Sequence, residues 1–140
     1  MTMKDRIVVV TGGTDGIGRE TARALALLGA HVTLVGRNPA KGDTAMRMLR
    51  TETGNENVHF IQADLSSRRG VLGAAQLLRE RCDRLDVLVN NAGAMFQARQ
   101  LSDDGIEMTL ALNHLAYFQL TSELLDLLQA ADQGRVVNVA

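Results

Sequence analysis

The sequence has one cysteine, one tyrosine, three phenylalanines and no tryptophan in 140 residues. A lone thiol excludes an internal disulfide framework. Cys82 shares helical spacing with Val71, Ala75 and Leu78, which reads as a small buried hydrophobe rather than a reactive nucleophile. With 46% hydrophobic but only 3% aromatic residues, the core has to be built from Val, Leu, Ile, Ala and Met, the stock of sheets covered by helices. That composition favours an α/β fold over a β-sandwich.

An excess of charge is also missing. Fifteen Lys and Arg against sixteen Asp and Glu give a net charge of -1, and no block of like charge is long enough to bind nucleic acid or a membrane surface. No apolar run approaches a membrane span, and the one before the first glycines is too short for a signal-peptide core. The chain therefore reads as cytoplasmic, with no membrane span, no nucleic-acid partner and no metal site. Its length suits a single domain, with no linker or repeat to mark a second one.

What is present is a rhythm. Strand-length apolar runs recur at "RIVVV", "HVTLV", "VHFIQA", "LDVLV" and "RVVNV", and each of the first four leads through a turn into a helical pattern, which argues a parallel sheet with helices on its faces. The first helix is expected to bury Ile17, Thr21, Ala24, Leu25 and Leu28 and to stop at Gly29. The second opens on Asn38 as N-cap with Pro39 behind it and closes near Gly54. The third starts at the Ser66 and Ser67 pair and turns Val71, Leu72, Ala75 and Leu78 inward. The stretch from about Ser102 to Ala131, with Gly105 near its start, reads as a short helix followed by a long one.

"TGGTDGIGRE" joins the first strand to the first helix and sets Gly12, Gly16 and Gly18 at G-x-x-x-G-x-G spacing. In that position the amides of a helix N-terminus face a pyrophosphate, and glycines permit close approach. A P-loop is excluded, because Arg19 and Glu20 stand where Lys and Ser or Thr are needed. A plain glycine turn is the competing reading. At the end of the second strand, about twenty residues beyond the loop, an NAD site presents an acid to the ribose. Here "VGRN" presents Arg37, which suits a 2′-phosphate and so NADP over NAD, unless it is a solvated loop arginine.

"TGGTDGIG", "ADL" at 63–65, "NNAG" at 90–93, Asn113 in "ALNHLAYFQLT" and the final "RVVNVA" follow one another in the order and spacing of the short-chain dehydrogenase/reductase family. The stretches "TGNENVHFIQADL", "RLDVLVNNAG" and "DGIEMTLALNHLAYF" are especially similar to its retinol-dehydrogenase-like branch. The resemblance implies a Rossmann-type doubly wound parallel sheet, five strands in order 3-2-1-4-5 with helices on both faces. It implies a single dinucleotide-binding domain over residues 1–140, expected to be incomplete at its C-terminus, with NADP (alternatively NAD) as cofactor. The substrate would be a small carbonyl or alcohol, and the assembly a homo-oligomer.

Carried over by position, the resemblance gives the pyrophosphate to Gly12, Gly16 and Gly18, with Thr14 and Asp15 in the same loop and a backbone contact from Ile17. Arg37, with Asn38 beside it, would meet the adenosine ribose or its phosphate. Asp64 would hold the adenine amino group, though as a residue it also reads as a helix N-cap, and Leu65 would add a backbone contact. Asn90 would lie along the cofactor and tie the fourth strand to its neighbours, with Ala92 and Gly93 allowing close approach; a strand-end turn is the alternative. Asn113 would be catalytic, bending its helix and anchoring a water of the proton relay, against the alternative of a core amide bonded to nearby backbone.

The family's serine follows the fifth strand and its tyrosine precedes a lysine by four places. In this sequence Tyr117 has Thr121 at that place, and the lysines are Lys4 and Lys41. Tyr117 therefore reads as packing, the 140 residues are expected to lack turnover of their own, and a non-catalytic nucleotide-binding or subunit-interaction module is the competing function. "RVVNV" is expected to form a sheet edge prone to association.

Overall fold

β-branched runs too short and too apolar for surface strands pair into one sheet covered on both sides. The computed structural model describes all 140 residues. Its strands are β1 (Ile7–Thr11), β2 (His31–Gly36), β3 (Val58–Gln62), β4 (Val87–Asn90) and β5 (Arg135–Asn138), in the order β3-β2-β1-β4-β5. All four pairings are parallel, and Val9 sits opposite both Thr33 and Leu88. This is the order expected from the sequence.

Alternation along β1 divides the core. Val9 packs with Ile61, Leu78, Leu88, Leu120 and Leu124 on one face, while Val8 and Val10 pack with Ala22, Ala26, Leu34 and Leu49 on the other. Val8, Val9 and Val10 are all fully buried, and burying each such side chain contributes about 1.5–3 kcal/mol relative to leaving it in water. The first face is covered by α3 (Arg68–Arg81) and α5 (Ala116–Glu123), the second by α1 (Gly16–Leu27) and α2 (Pro39–Thr53). Because β2 and β4 flank β1 on opposite sides, the chain order reverses at β1, and a crevice opens at the carboxyl ends of the strands there.

Local signals placed several boundaries correctly. Asn38 Oδ1 accepts from the Lys41 amide to cap α2, Pro39 is its first residue, and Gly54 ends it in the left-handed conformation at φ 68. Gly29 follows α1 with its amide bonded to Ala26 O. The Ser67 hydroxyl accepts from the Gly70 amide and caps α3.

Three expectations are corrected. The buried face of α1 is Gly18, Ala22 and Ala26, whereas Ile17 and Ala24 are exposed. At Gly18 the helix lies against Gly12 O and leaves no room for a side chain, and beyond it Ala22 and Ala26 pack on Val8, Val10 and Leu34 of the sheet. In α3 the buried residues are Val71, Ala74, Ala75 and Leu78, and Leu72 is turned to solvent. The segment expected as a short helix and a long one begins instead as a turn closed by a Leu101 to Glu107 bridge, with Gly105 at φ 73. It continues as α4 (Met108–Leu110), a π-helical turn (Ala111–Leu115), α5, and α6 (Leu125–Gln129), with the helix broken at Leu124.

Candidate functional site

The loop between β1 and α1 is tied to the segment that follows β4 by the side chains of Thr11 and Asn91. Thr11 Oγ1 accepts from the amides of Asn91 and Ala92, at 2.9 and 3.0 Å. Asn91 Nδ2 donates to the carbonyl oxygens of Thr11 and Gly12, at 3.1 and 3.2 Å. Gly12 and Gly18 are required by this closeness: a Cβ on Gly12 would lie 2.8 Å from Ala92 Cα, and one on Gly18 would overlap Gly12 O. The doubled asparagine of "NNAG" signalled the site, yet it is Asn91, not singled out from the sequence, that fastens the glycine loop.

Asn90 does something else. It is fully buried, and its Nδ2 donates to Thr121 Oγ1 at 3.1 Å and Asn138 Oδ1 at 2.9 Å, which ties β4 to α5 and β5. Its side chain is engaged there, and Asn90 does not line the crevice. Asn90 Oδ1 is the one buried side-chain oxygen without a partner.

The start of α1 is short of acceptors. Asp15 holds the N-cap position in extended backbone but makes no capping bond, because its carboxylate reaches out to Lys41 Nζ at 2.7 Å. No acidic residue stands in the first turn, and the amides of Gly16, Ile17 and Gly18 have no acceptor within the protein. A helix N-terminus with uncapped amides carries partial positive charge and favours an anion.

Gly12, Thr14, Arg37, Asp64, Leu65, Ala92 and Gly93 come together around a cleft of about 190 Å³. Arg37 is exposed and pairs with no carboxylate, and only its carbonyl is engaged, by Gln62 Nε2. Asp64 Oδ1 accepts from the Ser66 amide and hydroxyl at 3.0 and 2.7 Å. Asp64 thus braces the turn before α3, and Ser67 takes the N-cap, contrary to the capping alternative for Asp64. Asn38 is spent on capping α2 and lies outside the cleft, while Asp15 borders a neighbouring hollow with Thr14 and Lys41.

Asn113 lies in the π-helical turn. Its Oδ1 accepts from the Ala94 amide and its Nδ2 donates to Ala94 O, both at 3.0 Å. The extra residue of a π turn displaces one side chain from the helical ladder, a feature that recurs at functional sites. Here it locks the loop after β4 to the helix, and a Cβ on Gly93 would stand 3.1 Å from Asn113 Oδ1. Next to Asn113 a larger, open hollow of about 530 Å³ is bounded by Tyr117, Phe118, Thr121, Val136 and Val139. The Tyr117 hydroxyl donates to Val139 O at 3.2 Å, and burial pushes its pKa above the usual phenol value. A catalytic tyrosine needs the opposite shift.

Beneath the sheet, Asp86 is 2% exposed and was not singled out from the sequence. It accepts from the Ile7 amide at 2.8 Å, Arg6 at 3.0 Å and Arg84 at 3.3 Å. Burial alone would raise its pKa, but the Ile7 amide and the two guanidinium groups outweigh burial and hold the carboxyl below its ordinary value. Asp86 anchors the amino ends of β1 and β4, far along the strands from the cleft.

A parallel sheet that reverses at β1, a glycine loop entering an uncapped helix and a basic residue at the end of β2 define the Rossmann-type α/β class. Known proteins narrow that class. The family profile described as short chain dehydrogenase matches residues 6–140, and the chain belongs to that family. It is 40% identical to human polyprenol dehydrogenase over 97% of this chain and 37% identical to human retinol dehydrogenase 13 over 99% of it. In each case the chain spans 42% of the relative's length. Among solved structures, the Pseudomonas aeruginosa RhlG/NADP active-site complex superposes with a TM-score of 0.84 at 35% identity, over 96% of this chain and 54% of that one. L-sorbose reductase from Gluconobacter frateurii, complexed with NADPH and L-sorbose, gives 0.83 at 26% identity, over 97% and 52%. No helix of the chain is long and apolar enough to cross a membrane.

Proposed function

We propose that these residues form the NADP(H)-binding part of an oxidoreductase that interconverts a carbonyl and an alcohol by hydride transfer. The observation that carries the reading is the cleft itself: Arg37, unpaired, stands at the end of β2 on the same cleft as the glycine loop, beside a helix whose first amides lack acceptors. Gly16, Ile17 and Gly18 would donate their amides to a pyrophosphate, and Arg37 would pair with a 2′-phosphate. Asp64 and Leu65 would border the adenine, and Ala92 and Gly93 would leave room for the ribose chain. The nicotinamide, when bound, supplies or takes up the hydride. Asn113, fixed to Ala94, would hold the wall between the cleft and the larger hollow, where a small carbonyl or alcohol would meet the apolar side chains of Phe118 and Val136. The complexes of RhlG with NADP and of the sorbose reductase with NADPH support this assignment by likeness.

A second reading, a nucleotide-binding module without turnover, is favoured for these 140 residues by Tyr117, whose hydroxyl is engaged with Val139 O and whose pKa is raised. Titration calorimetry of the chain with NADPH and NADH tests the shared claim. NADPH is expected to bind about tenfold or more tightly, the yield of one charge-assisted contact, and Arg37→Ala should abolish the difference. Equal affinities for the unaltered chain would remove the assignment.

A further inference from the structure

One corner of the sheet is left uncovered. α3 starts beyond β3 and ends ahead of β4, so it crosses the sheet obliquely and its last turn stands clear of the amino ends of β2 and β3. Val35 and Ile61 are buried on the α3 face, whereas His31, Thr33 and His59, which share that face by alternation, are half-buried or exposed. They border a hollow of about 460 Å³ with apolar walls from Ile7, Leu78 and Phe60, and with Arg81 and Cys82 from the end of α3. The hollow lies at the amino ends of the strands, and shares no residue with the cleft at their carboxyl ends.

The polar groups around this hollow are donors that the protein leaves free. Arg81 makes no ion pair, the side chains of Thr33 and His59 make no hydrogen bond, and His31 Nε2 comes no nearer than 3.9 Å to Asp5. Burial, and then the charges of Arg50, Arg81 and His31, hold the His59 pKa below its ordinary value. Arg50 reaches over from α2, with its Nε donating to Val58 O at 2.9 Å. The acids nearby are Asp5, beside His31, and Asp83, beside Cys82, and neither counters the positive charge at His59. The His59 and Arg81 side of the hollow is therefore a place of positive potential over an apolar floor.

We propose that this hollow is a binding site for a small amphipathic carboxylate, its apolar body on Ile7, Leu78 and Phe60 and its carboxylate received by Arg81, His59 and the Thr33 hydroxyl. The planar fork of an arginine matches a carboxylate. An inorganic anion would leave the apolar walls wet, and a neutral apolar molecule would leave the cations unpaired, so the amphipathic acid fits both halves of the site. Because the hollow is separate from the cleft, the proposal stands or falls apart from the NADP(H) reading.

The test uses 2-naphthoate as probe and neutral 2-naphthamide as its control, titrated into the isotopically labelled chain and read by amide chemical shifts. Naphthoate should give saturable shifts at Thr33, His59 and Arg81, with a dissociation constant of about 1 mM or tighter for a ligand of this size, and should leave Gly16 and Gly93 unmoved. Arg81 is exposed and unpaired, so Arg81→Gln keeps the fold, as circular dichroism verifies. That variant should weaken naphthoate about three- to tenfold and leave naphthamide unchanged. Lowering the pH from about 7.5 to about 5.5 protonates His59 and should tighten naphthoate about two- to fivefold, a gain that His59→Gln removes for the larger part. No saturable shift at these residues by about 10 mM, equal binding of acid and amide, or an Arg81→Gln protein with unchanged affinity for naphthoate overturns the proposal.

Discussion

Changing Gly18 to alanine separates the packing account of α1 from simple helix propensity. In an unconstrained helix the substitution stabilises by about 0.5–1 kcal/mol, because alanine loses less backbone entropy. Here the new methyl would overlap Gly12 O and lie 2.5 Å from Asn91 Nδ2. Neither is a flexible side-chain end: Gly12 is backbone, and Asn91 is fixed by its bonds to Thr11 O and Gly12 O. The helix has to move away from β1 or the loop has to open, and overpacking of this kind costs about 1–3 kcal/mol. The two effects oppose each other and the steric one wins, leaving a net loss of about 0.5–2 kcal/mol. Gly73 in α3 is the control, since a Cβ there meets nothing within 4 Å, and its replacement by alanine should stabilise by about 0.5–1 kcal/mol. Thermal unfolding followed by circular dichroism reads both, at about 3–5 °C per kcal/mol for a chain of this size. A Gly18→Ala protein as stable as the unaltered one would refute the claim that close approach, and not chance, puts glycine there.

Two further outcomes follow from the framework of the fold. Asp86→Asn should destabilise by about 1–3 kcal/mol at pH 7, discounted because its arginine partners are part-exposed. Since the native pKa of Asp86 is depressed, its contribution is complete above the unfolded value of about 4 and is lost as the pH falls through the lower native value. The stability gap between the unaltered protein and the Asp86→Asn variant should therefore close below about pH 4 in urea titrations, and a gap unchanged from about pH 7 to about pH 3 would count against the ion pair. At the other edge, β5 has an unpaired outer side, with Val136 and Val137 40% and 46% exposed. The 140-residue chain should associate as concentration rises, and light scattering that reports a monomer throughout would contradict that.

The parts of this molecule legible in the sequence are those written locally. Asn38 followed by Pro39 and the glycine at 54 mark helix ends by their own backbone chemistry, and the repeated strand-then-helix pattern sets the sheet. The glycine loop and Arg37 fall on one cleft because both end at strands adjoining the reversal of chain order. What was not legible depends on partners far along the chain. Thr11 and Asn91 are 80 residues apart, as are Arg6 and Asp86, and nothing in either segment names the other. The buried face of α1 was not legible either: size ranks Ile17 and Leu28 as core, but Gly18 is pressed against Gly12 O, and Ala22 and Ala26 are the residues that meet Val8, Val10 and Leu34. The π turn at Asn113 leaves no periodic signature, because one inserted residue shifts the helical phase without altering composition.

The central claim is that the cleft between the glycine loop, Arg37 and Gly93 takes an NADP(H). Amide chemical-shift mapping of the isotopically labelled chain, titrated with NADP⁺, tests it most directly. Saturable shifts are expected at Gly16, Ile17 and Gly18, whose amides lack acceptors, and at Arg37, Leu65 and Gly93, with Gly73 and His59 unmoved. Shifts confined to other surfaces, or no shifts at millimolar cofactor, would contradict it.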